Sequence, residues 1–307
     1  MSIDQLVAWL LTAETPSIRY LTMRNLKNLS PDHPEVLITR EEMKTNGPIP
    51  QILAGQTDTG SWSGENSYYT PKYTSTHWSM LLLTELAIDP SDARLLRGVE
   101  YMLAKTRQEA IKHVNAGHHG LECFWGNVLR YSLYSDIGED SRVSNIIQIL
   151  AVNAPQADWC CVYNDERPCA WGAARALWGL GMLPEKLRTI EVKTAIESGL
   201  SFLLDDYNLV IADYPAPEKG KIHSLWSRVN FPLFYQADIL FVLRVLRELD
   251  ALDRSGIQPA LDWLMSRWLK NRRWRGSSPY RSRTWRELGG REEIDRWVSL
   301  HAALILQ

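Results

Sequence analysis

The sequence has almost no net charge, few cysteines, little phenylalanine and no long apolar run. Its 34 basic and 36 acidic side chains leave a net charge of -2 over 307 residues. A balance so close to neutral builds no field to gather nucleic acid or an anionic membrane surface, so neither is an expected partner. No apolar stretch approaches the ~18 residues of an integral membrane segment. The opening MSIDQLVAWLLTAETPS lacks the basic region and cleavage site of a signal peptide, so the expected location is the cytoplasm. Four cysteines, all between Cys123 and Cys169, are too few and too local for a secreted disulfide scaffold. Strand-like alternation is scarce, with YNLVIADY at 207–214 the best case. There is no P-loop, no G-x-G-x-x-G after a strand, no G-x-S-x-G, no H-E-x-x-H and no EF-hand loop.

What is present is helical periodicity and tryptophan, 13 Trp against 5 Phe. Helices are predicted at 3–12, 17–29, 34–45, 73–88, 93–105, 122–135, 141–153, 168–182, 188–205, 232–249, 256–269 and 293–306. Many open on a proline or a capping residue, as at Pro16-Ser17, Pro34, Pro90-Ser91-Asp92, Pro168, Pro184 and Pro232. Two kinds alternate. Segments such as HWSMLLLTEL, CFWGNVLRYSL, CAWGAARALWGLG and FPLFYQADILFVL have few charges and read as helices buried on most sides. Segments such as DARLLRGVEYML carry charge on one face and read as amphipathic helices outside them. The buried kind starts near 73, 122, 168 and 232, a period of roughly 50 residues, which is the signature of a repeated helix hairpin.

A second repeat lies in the loops: Gln56-Thr57-Asp58-Thr59-Gly60-Ser61-Trp62, Gln156-Ala157-Asp158-Trp159 and Asn271-Arg272-Arg273-Trp274 each follow an outer helix and precede a buried one. The first copy is full, the second lacks the Gly, and the third lacks both Gln and Gly. This Gln…Gly-x-Trp turn resembles the QW motif of squalene-hopene and oxidosqualene cyclases and the related turns of protein prenyltransferase β subunits. The resemblance implies an all-α protein, one closed (α/α)6 toroid over 1–307. Its inner helices would be 17–29, 73–88, 122–135, 168–182, 232–249 and 293–306, and 3–12 would close the outer ring against the last of them through Leu6, Trp9 and Leu10. In that superfamily the Gln and Trp of the turn tie outer helices together, so these tryptophans read as structural.

In a ring of parallel inner helices the N-terminal ends open on one face, where helix dipoles favour anions and thiolates. The candidate site is therefore sought in the residues that precede and start those helices: Tyr68, Tyr69, Tyr73, His77, His118 or His119, Cys123, Cys160, Cys161, Tyr163, Asp165, Cys169, Trp226, Tyr235, Asp238 and Trp297. Cys123 and Cys169 fall in equivalent first turns of neighbouring helices, and Cys160 or Cys161 should join them. Three readings stand for this set: a zinc site completed by His118 or His119, reactive or acid–base thiols with dipole-lowered pKa values, or small buried hydrophobes. The prenyltransferase resemblance implies zinc, although no single stretch here matches that family's ligand pattern.

The cyclase resemblance implies a proton donor, but the D-x-D-D motif is absent; Asp165-Glu166, Asp205-Asp206 and Asp238 are the nearest substitutes. Asp238, in a buried stretch, is either an acid of raised pKa or the partner of Arg167 or Arg175. The set His118, Cys160 and Cys169, with Tyr68, Tyr69 and Asp165, is also similar in residue type and order to the linalool dehydratase-isomerase family. The expected function is proton-driven cyclisation, isomerisation or dehydration of an apolar, isoprenoid-like small molecule, its carbocations facing Trp78, Trp125, Trp171, Trp226 and Trp297. The alternatives are a non-catalytic toroid that binds a small molecule or a protein, and a zinc-dependent prenyltransferase-like protein. A homo-oligomer is left open. The basic run from Lys270 to Arg275, with Arg281, Arg283 and Arg286, reads as a solvated rim.

Overall fold

The computed structural model describes residues 3–63, 67–117, 120–207, 209–210, 223–269, 271 and 273–307. Within them the chain is mostly helical, and the remaining regular structure is a two-stranded ladder. In chain order the helices are α1 (Ile3–Leu11), α2 (Pro16–Asn25), α3 (Pro34–Thr45), α4 (Pro48–Ala54), α5 (Thr76–Glu85), α6 (Ala93–Ala116) and α7 (Glu122–Tyr134). They continue as α8 (Ser141–Gln148), α9 (Ala154–Gln156), α10 (Ala170–Leu180), α11 (Ile190–Ser201), α12 (Ile239–Glu248), α13 (Gln258–Ser266) and α14 (Arg291–Ile305). The ladder pairs β1 (Cys160–Cys161) with β2 (Arg167–Pro168), antiparallel, Cys160 opposite Pro168 and Cys161 opposite Arg167. Among the described residues no helix is long and apolar enough to cross a membrane.

The two predicted kinds of helix sort by burial. Every residue of α10 is buried, and so are Thr76–Thr84 of α5. Helix α6 buries Leu95, Val99, Met102, Leu103, Thr106 and Ala110 and turns its charges outward. The buried helices follow one another in contact, α5 on α7, α7 on α10, α10 on α12, α12 on α14 and α14 on α2. Five of the six have an amphipathic companion: α3 beside α2, α6 beside α5, α8 beside α7, α11 beside α10 and α13 beside α12.

Helices α7 and α10 approach closely, and small residues permit it. A Cβ on Gly126 would lie 2.3 Å from the Arg175 carbonyl oxygen, and one on Gly179 would lie 2.6 Å from the Gly126 carbonyl oxygen. The two backbones therefore touch without side chains between them. Helix α1 packs on α2 with Leu6, Trp9 and Leu10 buried. It is also fastened to α14, where the Trp9 indole donates to Glu292 (3.0 Å) and Arg296 donates to the Trp9 carbonyl. Arg273 and Arg296 lie over the Trp9 ring, 4.0 and 4.8 Å from its centroid.

Two of the tryptophan turns share one set of hydrogen bonds. The Trp62 indole donates to the Ile52 carbonyl (2.6 Å) and the Trp274 indole to the Leu264 carbonyl (2.9 Å), each ten residues back at the end of the preceding helix. The Trp62 backbone N–H donates to the Thr76 hydroxyl and the Trp274 N–H to the Ser299 hydroxyl, both 3.0 Å, on α5 and α14. Each turn thus satisfies a helix-end carbonyl and clips to the next buried helix. Gln56 donates to the carbonyls of Gly60 and Arg94, which ties the first turn to the start of α6. Gly60 has φ +89°, where an L side chain is strained. Trp159 differs; its indole donates to the Ser198 hydroxyl of α11. Trp62→Phe keeps a ring but deletes the N–H, and should cost about 1–2 kcal/mol. Denaturant melts check this, and an unchanged midpoint would show that the bond is dispensable.

Three boundaries differ from the predicted ones. Helix α6 runs on to Ala116, because nothing after Gly98 breaks it until Gly117, whose φ is +61°. Pro48–Ala54 forms a short helix that is not among the predicted ones. The segment predicted as 232–249 begins only at Ile239, with Asp238 as its cap. The strand-like stretch at 207–214 lies largely outside the described residues.

Candidate functional site

The first turns of α5, α7 and α10 do meet around a common space. A cavity of about 590 Å³ is lined by Tyr68, Tyr69, Lys72 and Trp78 before and on α5, and by Leu121, Cys123 and Phe124 at the start of α7. Its wall is completed by Cys161, Tyr163 and Asn164 from the ladder turn, Cys169 and Trp171 at the start of α10, Glu109 of α6 and Tyr235. Tyr69 packs edge-on against Trp78 with centroids 4.7 Å apart, and Trp171 against Tyr235 at 5.9 Å. The Tyr68 hydroxyl donates to Glu109 (3.1 Å). Lys72, exposed at the mouth, holds its ammonium 5.0 Å from the Tyr235 ring centroid and 5.7 Å from that of Tyr69.

The cysteines are placed by the ladder. Successive strand residues point to opposite faces, so Cys160 and Cys161 cannot both join the α10 thiol; Cys161 does, and Cys160 does not line the cavity. Cys169 is the N-cap of α10, its sulfur accepting from the Gly172 N–H (3.4 Å). Cys161 and Cys169 line the same wall, and the Cys169 thiol and the backbone N–H groups of Leu121, Tyr163 and Asn164 are the donors around Cys161. Those donors bring the Cys161 thiol down to about 6, while Cys169, which supplies the proton, is pushed well up.

The other thiols run against the dipole expectation. Burial pushes Cys123 up to about 12 although it sits in a first turn, because desolvation of a thiolate in that wall outweighs the helix dipole. Cys160 is raised as well, chiefly by burial. A single thiol of the four is activated.

Beneath this wall lies a carboxyl that was not singled out from the sequence. Glu122, the first residue of α7, is 1% exposed. One of its oxygens accepts from the Gly120 N–H, and the other faces Gly172 of α10, where a Cβ would stand 3.4 Å away, with no hydrogen-bond partner. Burial pushes Glu122 up to about 8. Lys72, Glu109 and Asn164 were also missed. The signal for Glu109 was the unbroken run after Gly98, which carries α6 past its predicted end at 105 and sets Glu109, one turn beyond it, at the cavity.

Several expected residues lie elsewhere. Asp238 is not the partner of Arg167 or Arg175, and it does not line the cavity. It caps α12, accepting from the Phe241 N–H (2.7 Å) and from the backbone N–H and side-chain amide of Asn230 (2.9 and 2.7 Å). Burial raises it to about 6 in spite of those bonds. Arg175 is buried in α10 and donates instead to the Gln236 carbonyl (3.0 and 2.6 Å), its guanidinium 3.9 Å from the Phe241 ring centroid. His77 is wholly buried behind Tyr69, its Nδ1 3.3 Å from the Tyr131 hydroxyl, and burial holds it down to about 3, so it stays neutral.

Tyr73 lies behind the cavity wall, stacked with Phe234 and Tyr280. Trp125 is buried against Phe124 and His113, Trp226 donates to the Leu209 carbonyl (2.7 Å), and Trp297 stacks on Phe231 at 4.4 Å; none of the three lines the cavity. These rings pack because helix faces turned toward a neighbouring helix outnumber those turned toward the opening. Asp165 is exposed on the ladder turn with φ +53° and does not line the cavity. His118 and His119 lie outside the described residues. Among the described residues no group of three His, Cys, Asp or Glu side chains could hold a metal ion.

The wall therefore offers an apolar, aromatic space with one thiolate–thiol pair, phenols and a cation at its mouth. Comparison of the chain with protein-family models, with curated proteins and with solved structures finds no match.

Proposed function

We propose that this chain is an (α/α)6 toroid of the squalene-cyclase-like kind, closed by α1, and that it is an enzyme moving protons on an apolar, isoprenoid-like small molecule held in the aromatic cavity. The toroid is supported by the succession of buried helices from α5 through α14 to α2, five of the six with an outer companion, and by the shared hydrogen bonds of the Trp62 and Trp274 turns. The observation that carries the catalytic reading is the Cys161–Cys169 pair, two free thiols on one wall of that space. With Cys161 ionised near neutrality and Cys169 protonated, one sulfur accepts a proton while its neighbour donates one.

On an allylic alcohol the chemistry balances. Cys169 protonates the hydroxyl, the C–O bond breaks and water leaves. Cys161 then removes a proton from the adjacent carbon, and that C–H electron pair becomes the new double bond. Passing one proton from Cys161 back to Cys169 restores the starting state. The faces of Trp78, Trp171 and the tyrosines oppose positive charge developing on carbon between these steps.

The test is deuterium incorporation and loss of water, followed by mass spectrometry, with short isoprenoid alcohols and alkenes in heavy water. Wild-type protein should exchange or dehydrate at least one of them. Cys161→Ser should lower the rate by about 10²-fold or more while leaving binding intact. Binding without exchange in the wild type would favour the non-catalytic reading, and full activity in Cys161→Ser would remove the thiol pair from the chemistry.

A further inference from the structure

The same pair has a chemistry that needs no organic substrate. Cys161 stands opposite Arg167 in the ladder, and Cys169 follows two residues after Arg167. Alternation puts the side chains of Cys161 and Cys169 on one face as diagonal neighbours, a spacing that a small inward movement of the backbone closes to disulfide range. The Cys169 backbone N–H donates to the Trp159 carbonyl (3.0 Å), which extends the pairing past both thiols and holds them in register. Both are free thiols and both line the cavity. Each residue is largely buried, at 8% and 6% exposure, so the approach is through the cavity. Its rim carries Tyr163, 83% exposed, and Lys72.

We propose that Cys161 and Cys169 form a peroxide-reactive site, with Cys161 as the sulfur oxidised first and Cys169 as the resolving thiol. The thiolate of Cys161 attacks one oxygen of hydrogen peroxide, the O–O bond breaks, and hydroxide leaves as Cys161 becomes a sulfenic acid. The Cys169 sulfur then attacks Cys161, the S–O bond breaks, and the Cys169 proton leaves with the hydroxyl as water. In sum two thiols are oxidised by two electrons, and one peroxide is reduced to two waters. Resolution is intramolecular because the ladder delivers the second sulfur beside the first. Cys160 points to the other face of the same strand and cannot take its place.

The experiment uses the full chain, reduced and then exposed to dilute hydrogen peroxide at neutral pH. Remaining thiols are blocked by alkylation, and the products are mapped by peptide mass spectrometry. The expected product is a Cys161–Cys169 disulfide, formed roughly tenfold or more faster than Cys123 or Cys160 is oxidised, and reversed by dithiothreitol. Cys169→Ser should instead accumulate a sulfenic acid at Cys161 that a cyclic 1,3-dione traps. A disulfide involving Cys160 or Cys123, or oxidation of all four cysteines at one rate, would overturn the proposal. So would formation of the bond in urea-unfolded protein as fast as in the folded protein, since the folded ladder would then contribute nothing. The readout is covalent, so it stands or falls apart from any turnover of isoprenoids.

Discussion

Gly126→Ala is expected to destabilise the protein by about 3 kcal/mol or more, the upper range for overpacking a core. The added carbon would meet only backbone, at 2.3 Å from the Arg175 carbonyl oxygen, 2.5 Å from its carbonyl carbon and 2.7 Å from the Ala176 nitrogen. A flexible side chain could swing away from such a contact, whereas a hydrogen-bonded helix cannot. Helix α10 has no slack of its own, since all its residues are buried. The strain must therefore push α7 and α10 apart, and with them Cys123 from Cys169. Gly290→Ala is the control: no atom lies within 4 Å of the added carbon, and the change should stay within about 1 kcal/mol. Equilibrium denaturation of the two variants decides it. If Gly126→Ala melted with Gly290→Ala, the helices would not be in backbone contact.

The second large effect depends on pH. Glu122 is pushed up by burial from its ordinary 4.5 to about 8. Between those values the folded chain keeps a proton that the unfolded chain has released. Stability is therefore fully present below about pH 4.5, falls as pH rises through the window, and has lost this contribution above about 8. Glu122→Gln keeps an oxygen for the Gly120 N–H and cannot ionise. Relative to wild type, it should gain stability on the order of 4 kcal/mol between pH 5 and pH 9. Asp238, also raised by burial, tilts the profile the same way in both proteins and cancels from the difference. Parallel urea-melt profiles for the two proteins across that range would show that Glu122 does not remain protonated in the folded state.

What the sequence alone determined is the helical character, the alternation of buried with amphipathic helices, and the meeting of Cys123 and Cys169 near Tyr68, Tyr69, Trp78, Trp171 and Tyr235. These follow from periodicity and from equivalent positions on successive helices, both of which are local patterns along the chain. The tertiary structure decided the rest. Periodicity says that Asp238 is buried but not that Asn230 and the Phe241 N–H are waiting for it. It marks Trp125, Trp226 and Trp297 as apolar without saying whether a ring faces a neighbouring helix or an opening. The choice between Cys160 and Cys161 rests on a ladder of two residues per strand, too short to leave an alternating pattern. Glu122 reads as an ordinary acidic residue in a first turn, where the helix dipole welcomes it. Only the approach of α10, allowed by Gly126 and Gly179, removes water from that carboxyl and turns it into a buried acid. Burial is set by which helix comes to lie against which, and the sequence around Glu122 carries no trace of its neighbour fifty residues away.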